Sequence, residues 1–243
     1  MRCGIALTNR IYLKKSSNEL AELWKNMIRL FSVTILLITP SLVFGDASPF
    51  GRYFLGFGYS HNWDEFDRFE GHSLSIGGNV PIASKLDLSM NAGYGFGEST
   101  YSSPLFNEEY SSIGVGLGVD VYHKFEFQNS VIDCFALSGG GGFGLARFSY
   151  EATGLSITPY ENSETRFTYS LGLGAGVSLA ETFWLSTGLG FADYINKDYD
   201  EIVNWGIGVT CFITDGFYIG LGYSRRLNYF TQERVSLSTG YRW

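Results

Sequence analysis

Along much of the chain, large apolar residues alternate one for one with Gly, Ser, Thr or Asp. Ile113, Val115, Leu117, Val119 and Val121 fall on one face of an extended segment, and Ser112, Gly114, Gly116, Gly118 and Asp120 on the other. The pattern returns from Arg166 to Leu179, where Phe167, Tyr169, Leu171, Leu173, Ala175, Val177 and Leu179 oppose Thr168, Ser170, Gly172, Gly174, Gly176 and Ser178. A period of two held this long predicts β-strands. Strands are expected at about 52–61, 71–80, 85–96, 110–122, 131–149, 166–179, 183–194, 202–213, 217–226 and 233–243. Short links at 81–84, 180–182 and 214–216 are separated by long ones at 62–70, 97–109 and 150–165, with a less regular link at 123–130. The run from Gly139 to Gly142 is expected to hold a bulge or a break.

The polar face decides the class. A soluble barrel turns its polar face outward, and soluble skins carry roughly 25–35% charged residues. Here that face is mostly Gly and Ser, and the whole chain is only 17% charged. An apolar face against lipid and a small, polar face turned into a closed lumen fit better, because every backbone group is then paired around a ring. The expected fold is all-β, a closed antiparallel up-and-down transmembrane β-barrel of ten strands. Eight is the alternative if two segments form hairpins outside the membrane. An even count suits a barrel with both termini in the periplasm, short turns there and long loops outside.

Ahead of the strands, Met27 and Arg29 precede an apolar stretch from Leu30 to Phe44 that closes on small residues near Gly45 and Ala47. This reads as a signal peptide over 27–45. A transmembrane helix is the competing reading, but Pro40 interrupts it and the run falls short of the ~20 residues a span needs. Residues 1–26 are expected to be an extended leader or to precede the true start at Met27, leaving 46–243 as the barrel domain. Export with insertion into an outer membrane follows. Of the cysteines outside the leader, Cys134 faces the lumen and Cys211 lipid by parity, an arrangement that suits neither a disulfide nor a metal site.

The last strand carries a sharper signal. Val235, Leu237, Thr239, Tyr241 and Trp243 form one face, against Arg234, Ser236, Ser238, Gly240 and Arg242 on the other. It resembles the terminal strand of bacterial outer-membrane barrels, with Thr239 at an apolar position and Trp instead of the commoner Phe as departures. With the leader and the alternation, residues 48–243 look like the small barrels of the OmpA transmembrane domain, OmpX and porin-family group. That resemblance implies that the barrel assembly machinery reads Val235, Leu237, Tyr241 and Trp243. It also brings in a minority of enzymes, since some such barrels are proteases and some modify lipid A.

Charge changes the picture outside the membrane. From residue 46 onward there are 11 Lys and Arg against 22 Asp and Glu, a balance of −11. Asp64, Glu65, Asp67 and Glu70 fall in the first expected loop, Glu98, Glu108 and Glu109 in the second, Glu151, Glu161 and Glu164 in the third, and Asp198, Asp200 and Glu201 in the fourth. An acidic mouth fits small cationic solutes or a host surface ligand. The plainer reading is solvated loops sharing divalent ions with lipopolysaccharide. No nucleic-acid face and no cofactor motif are present, and a monomer is expected.

Parity sends Arg52, Asp87, Asp120, Arg166, Arg226, Arg234 and Arg242 into the lumen. Either the small residues around them leave a narrow channel, or these charges pair and plug it with Phe54, Tyr122, Trp184 and Tyr218. Tyr53, Tyr59, Tyr94, Phe96, Tyr169, Phe183, Phe191, Tyr223, Tyr241 and Trp243 fit the two interfacial girdles. His61, His72 and His123 share parity with the apolar face. His61 and His72 are expected to be near neighbours at the outer rim, but no Asp-x-His or His-x-Ser spacing supports a hydrolase. The expected function is a non-enzymatic outer-membrane barrel, porin-like or surface-exposed. An outer-membrane hydrolase, or an adhesin acting through the loops, is the alternative.

Overall fold

The computed structural model describes residues 49–64, 69–99, 106–127, 131–154, 157–195, 201–214, 216–228 and 231–243. The leader and residues 1–26 lie outside this set, as do Glu65, Asp67, Asp198 and Asp200. Ten strands follow in chain order: β1 Phe54–Asp64, β2 Phe69–Ala83, β3 Leu86–Ser99, β4 Phe106–Glu126, β5 Ile132–Gly154, β6 Ile157–Leu179, β7 Phe183–Tyr194, β8 Ile202–Phe212, β9 Phe217–Arg226 and β10 Gln232–Arg242. Each pairs antiparallel with its neighbours, and β10 pairs with β1 to close the ring. The eight-strand alternative falls.

Alternation explains the two surfaces. The outward face carries exposed Phe57, Leu74, Val115, Leu117, Phe143, Leu173, Leu189 and Leu221, an apolar skin that only lipid can cover favourably. Aromatic pairs rim it: Tyr53 stacks on Trp243 at the end where β1 starts and β10 finishes, and Tyr94 tilts on Phe96 and Tyr169 on Phe191 at the other. The strands stop near the aromatic rim at the first end, whereas β4, β5 and β6 run on well past it at the other, which makes the first end periplasmic. One connection there turns through Ala180 and Glu181, both at positive φ (49° and 54°). Asp133 holds that turn, its carboxylate accepting the Ser178 hydroxyl at 3.0 Å and the Glu181 amide at 2.5 Å.

Neighbour-to-neighbour pairing also fixes the stagger. From Glu161 on β6 the paired positions run through Glu151, Glu109, Glu98, Glu70, Trp63, Glu233, Arg225, Trp205 and Leu189, and return to β6 at Leu173, 12 residues from the start. A stagger of this size goes with strands tilted by roughly 35–45°. The row therefore climbs from the lipid-facing band to the water as it circles the barrel.

Two expectations about the elements need correction. Residues 97–99, 106–109, 150–154 and 157–165, expected in links, are strand: β4 has 21 residues and β5 and β6 have 23 each. A crossing needs only ~9–11 residues. Beyond the bilayer both faces meet water, so the apolar alternation stops while the hydrogen-bonded ladder continues. The run Gly139–Gly142 holds neither a bulge nor a break. Register shifts fall instead at Pro81/Ala83, Ile132/Cys134 and Ala152/Gly154.

Lumen glycines serve two ends. Near the periplasmic end they make room for rings: a Cβ at Gly176 would overlap the Trp184 indole, and one at Gly56 or Gly240 the Tyr218 hydroxyl. Elsewhere they leave space, as at Gly172, where a Cβ would meet only the Leu189 carbonyl at 3.7 Å. Gly176→Ala is expected to destabilise the folded barrel by about 1–3 kcal/mol through overpacking, and Gly172→Ala to be near neutral. Urea unfolding of both variants in lipid vesicles, followed by tryptophan fluorescence, checks the contrast.

Candidate functional site

The lumen is filled at its periplasmic end. The chain enters β1 through Phe50, which stacks on Tyr122 (ring centroids 5.1 Å apart) and meets Trp184 edge-on at 6.0 Å. Phe54 stacks on Tyr218 at 4.8 Å, and the Arg242 guanidinium lies over the Phe212 ring at 3.6 Å. Trp184, Phe212 and Tyr218 form a buried cluster with Cys134 and Ala136, and Phe50 and Phe54 pack against it. Asp87 anchors the entering segment: fully buried, it accepts the Gly51 amide at 2.9 Å and the Asn79 side-chain amide at 2.8 Å.

Above this layer the lumen opens into a cavity of about 660 Å³ against β2–β6. Ser73, Ser89, Asn91, Ser112, Asp120 and Thr168 line it among glycines. At the outer mouth Arg166 pairs with Glu164, donates to the Tyr150 hydroxyl at 2.8 Å, and covers the Phe148 and Tyr194 rings. Arg226 donates to the Glu201 carbonyl at 3.3 Å, and Arg234 to the Asn62 side chain. The expected lumen charges are thus not one constellation. Asp87 and Arg242 belong to the plug, Asp120 to the cavity and Arg166, Arg226 and Arg234 to the mouth, while Arg52 lies just before β1. The aromatics Phe54, Tyr122, Trp184 and Tyr218 do occupy the lumen, joined by Phe50, which strand parity could not place because it precedes β1.

The acidic positions are rearranged too. Asp64 closes β1, buried, and accepts the Phe69 amide at 3.2 Å. Glu70, Glu98, Glu108, Glu109, Glu151, Glu161 and Glu164 lie on strands, not in loops. Five of them, Glu70, Glu98, Glu109, Glu151 and Glu161, are successive partners across β2–β6 on the exposed outward face. Neighbouring strands are ~4.8 Å apart, so this is a row of like charges that repel.

At the low end of that row His61 and His72 are direct cross-strand partners, their rings stacked at 4.8 Å. Glu70 Oε1 accepts from His61 Nε2 at 3.1 Å and lies 3.8 Å from His72 Nε2. The Tyr59 hydroxyl is 2.8 Å from His72 Nδ1. The neighbour relation of the histidines was legible in the sequence; Glu70, expected in a loop, instead lies on β2 two residues from His72, and the register brings it to His61. His123 lies at the opposite end, beside Lys85 Nζ at 3.2 Å.

A family model described as the outer membrane protein beta-barrel domain matches residues 31–211. The chain belongs to that family. It is an outer-membrane β-barrel protein, integral to the membrane and surrounded by outer-membrane lipid and lipopolysaccharide. No curated protein matches the outer-membrane barrel by sequence. Solved barrels resemble it at low identity. The translocator domain of the autotransporter NalP from Neisseria meningitidis is 12% identical, covering 93% of this chain and 98% of that one, with a TM-score of 0.49. Ail, the attachment invasion locus protein of Yersinia pestis, is 17% identical over 79% of this chain and 99% of that one, with a TM-score of 0.32. An outer membrane channel from Pseudomonas putida F1 is 13% identical over 84% and 100%, with a TM-score of 0.41.

Because Asp87 ties the entering segment to the wall, Asp87→Ala is expected to free it at a cost of about 1–3 kcal/mol for the orphaned donors. Limited proteolysis of the folded barrel then cuts ahead of Tyr53 faster than in the unaltered protein, with the strands still protected.

Proposed function

We propose that this barrel is a non-enzymatic surface protein with a closed lumen and not an open diffusion pore. The packing of Phe50 between Tyr122 and Trp184 carries the reading, since it fills the periplasmic end with rings. The cavity beyond it is then a well open to the outside, and the three long strands β4–β6 raise polar surface beyond the membrane. The glutamate row supports a seat among lipopolysaccharide, where shared divalent cations offset the repulsion. Small cationic solutes at the acidic mouth, or a host ligand at the raised strands, fit the same surface. The terminal strand, with Val235, Leu237, Tyr241 and Trp243 outward, supports recognition by the barrel assembly machinery. An outer-membrane hydrolase is the second reading; His61, Glu70 and His72 would have to supply its base, and no serine or aspartate nucleophile is bonded to them among the described contacts.

Single-channel recording in a planar bilayer tests the closed lumen. The folded protein is expected to stay silent, and Phe50→Ala combined with Trp184→Ala to give discrete conductance steps with cation preference. Steady steps from the unaltered protein would return it to the porins. Deleting Trp243 is expected to slow insertion by the assembly machinery in reconstituted vesicles, with spontaneous detergent folding much less affected.

A further inference from the structure

We propose that His61, Glu70 and His72 form a binding site for a borderline-soft divalent cation of the zinc class on the outer rim of the barrel. The three side chains offer two imidazole nitrogens and one carboxylate oxygen, and these donor atoms all lie within 4.8 Å of one another. Four-coordinate zinc holds nitrogen and oxygen donors at ~2.0–2.2 Å, which places the donors about 3.4 Å apart. The distances of 3.1 Å from Glu70 Oε1 to His61 Nε2 and 3.8 Å to His72 Nε2 bracket that separation. The two imidazoles are stacked with 11° between their planes, so side-chain rotation has to turn both Nε2 lone pairs toward one ion.

The strands supply the preorganisation. His61 and His72 are fixed opposite each other by the β1–β2 ladder, and Glu70 is two residues from His72 on the same face. His61 Nε2 is hydrogen-bonded to Glu70 Oε1 at 3.1 Å, and His72 Nε2 lies 3.8 Å from the same oxygen. The other nitrogen of His72 is already engaged, 2.8 Å from the Tyr59 hydroxyl. With metal on Nε2, His72 Nδ1–H donates to the Tyr59 oxygen, the outer-shell contact that fixes tautomer and ring direction at metal sites. At His61 the metal takes the place of the hydrogen now shared with Glu70, and that hydrogen moves to Nδ1. Trp63 and Phe96 pack on the two imidazoles at 5.2 and 5.4 Å, limiting ring motion.

The donor set selects the cation. Two imidazoles with one carboxylate suit zinc and its neighbours, whereas calcium and magnesium take oxygen ligands. Three protein ligands leave a fourth position open to solvent, as the side chains of Glu70 (67% exposed), His61 (38%) and His72 (30%) show. The adjoining row of glutamates makes the rim negative and raises the local concentration of any cation, but only the end that holds the histidines discriminates zinc from calcium.

The test uses the full chain without an affinity tag, thiols alkylated, folded in detergent. Zinc titration calorimetry and the visible spectrum of added cobalt are compared with those of a His61→Ala/His72→Ala double variant. The expected result is one zinc equivalent lost in the double variant, a four-coordinate cobalt spectrum lost with it, and no displacement by equimolar calcium. Tyr59→Phe, which leaves all ligands in place, is expected to weaken zinc roughly 10-fold, within the range for outer-shell partners. Unchanged β circular dichroism and heat-modifiable gel migration show that the variants fold. Zinc binding that survives in the double variant, binding that calcium displaces, or no zinc binding by the folded protein overturns the site.

Discussion

Backbone pairing in a medium without water is the constraint on which everything else in this protein depends. Each unpaired amide or carbonyl in the hydrocarbon would cost several kcal/mol, so the sheet must close, and the contact of β10 with β1 over eleven residue pairs does this. Closure fixes the strand number and the stagger together. It then dictates which residues meet lipid, which meet the lumen and which become neighbours across strands. The glutamate row is a consequence of register and is not visible as a motif along the chain.

The transmembrane part was legible in the sequence because lipid and lumen impose opposite demands on alternate residues. Val115, Leu117 and Val119 against Gly114, Gly116 and Gly118 can be read in no other way, and the ten expected strands all occur. Legibility ended where the contrast ended. Glu161, Asn162, Ser163 and Glu164 are polar on both faces, so their strand looked like a loop although its ladder runs on to Ile157. Ten strands, outward aromatics and inward Trp184 and Tyr218 needed only parity. Phe50, lying before the first strand, had no parity to be read from, and Glu70 needed a partner 9 residues away to acquire chemical meaning.

Glycine shows how one residue type answers two demands in the same wall. At Gly176 the absent side chain is replaced by the Trp184 ring from the neighbouring β7, and at Gly56 by the Tyr218 hydroxyl from β9, two strands away, so the wall there is thick. At mid-height on β4–β6, at Gly114, Gly116, Gly118, Gly142, Gly144 and Gly172, no ring lies against the strand, and the same composition leaves a polar hollow between Asp120 and Thr168. The difference lies in where the aromatics are: Trp184 on β7 and Tyr218 on β9 reach across neighbouring strands, whereas the lumen positions of β4 and β5 at mid-height are Gly114, Gly116, Gly118, Gly140, Gly142 and Gly144.

The ring layer around Phe50 has an electrical consequence. An outer membrane separates compartments of unequal fixed charge, and a potential between them falls wherever resistance is greatest. In a barrel closed there, as proposed, that drop is compressed into the short stretch from Phe50 to Trp184, and the well above it follows the potential of the outside. Asp120 and Arg166 then answer to the salts of the environment, and the charges that lie within the field are the buried pair below them, Asp87 and Arg242.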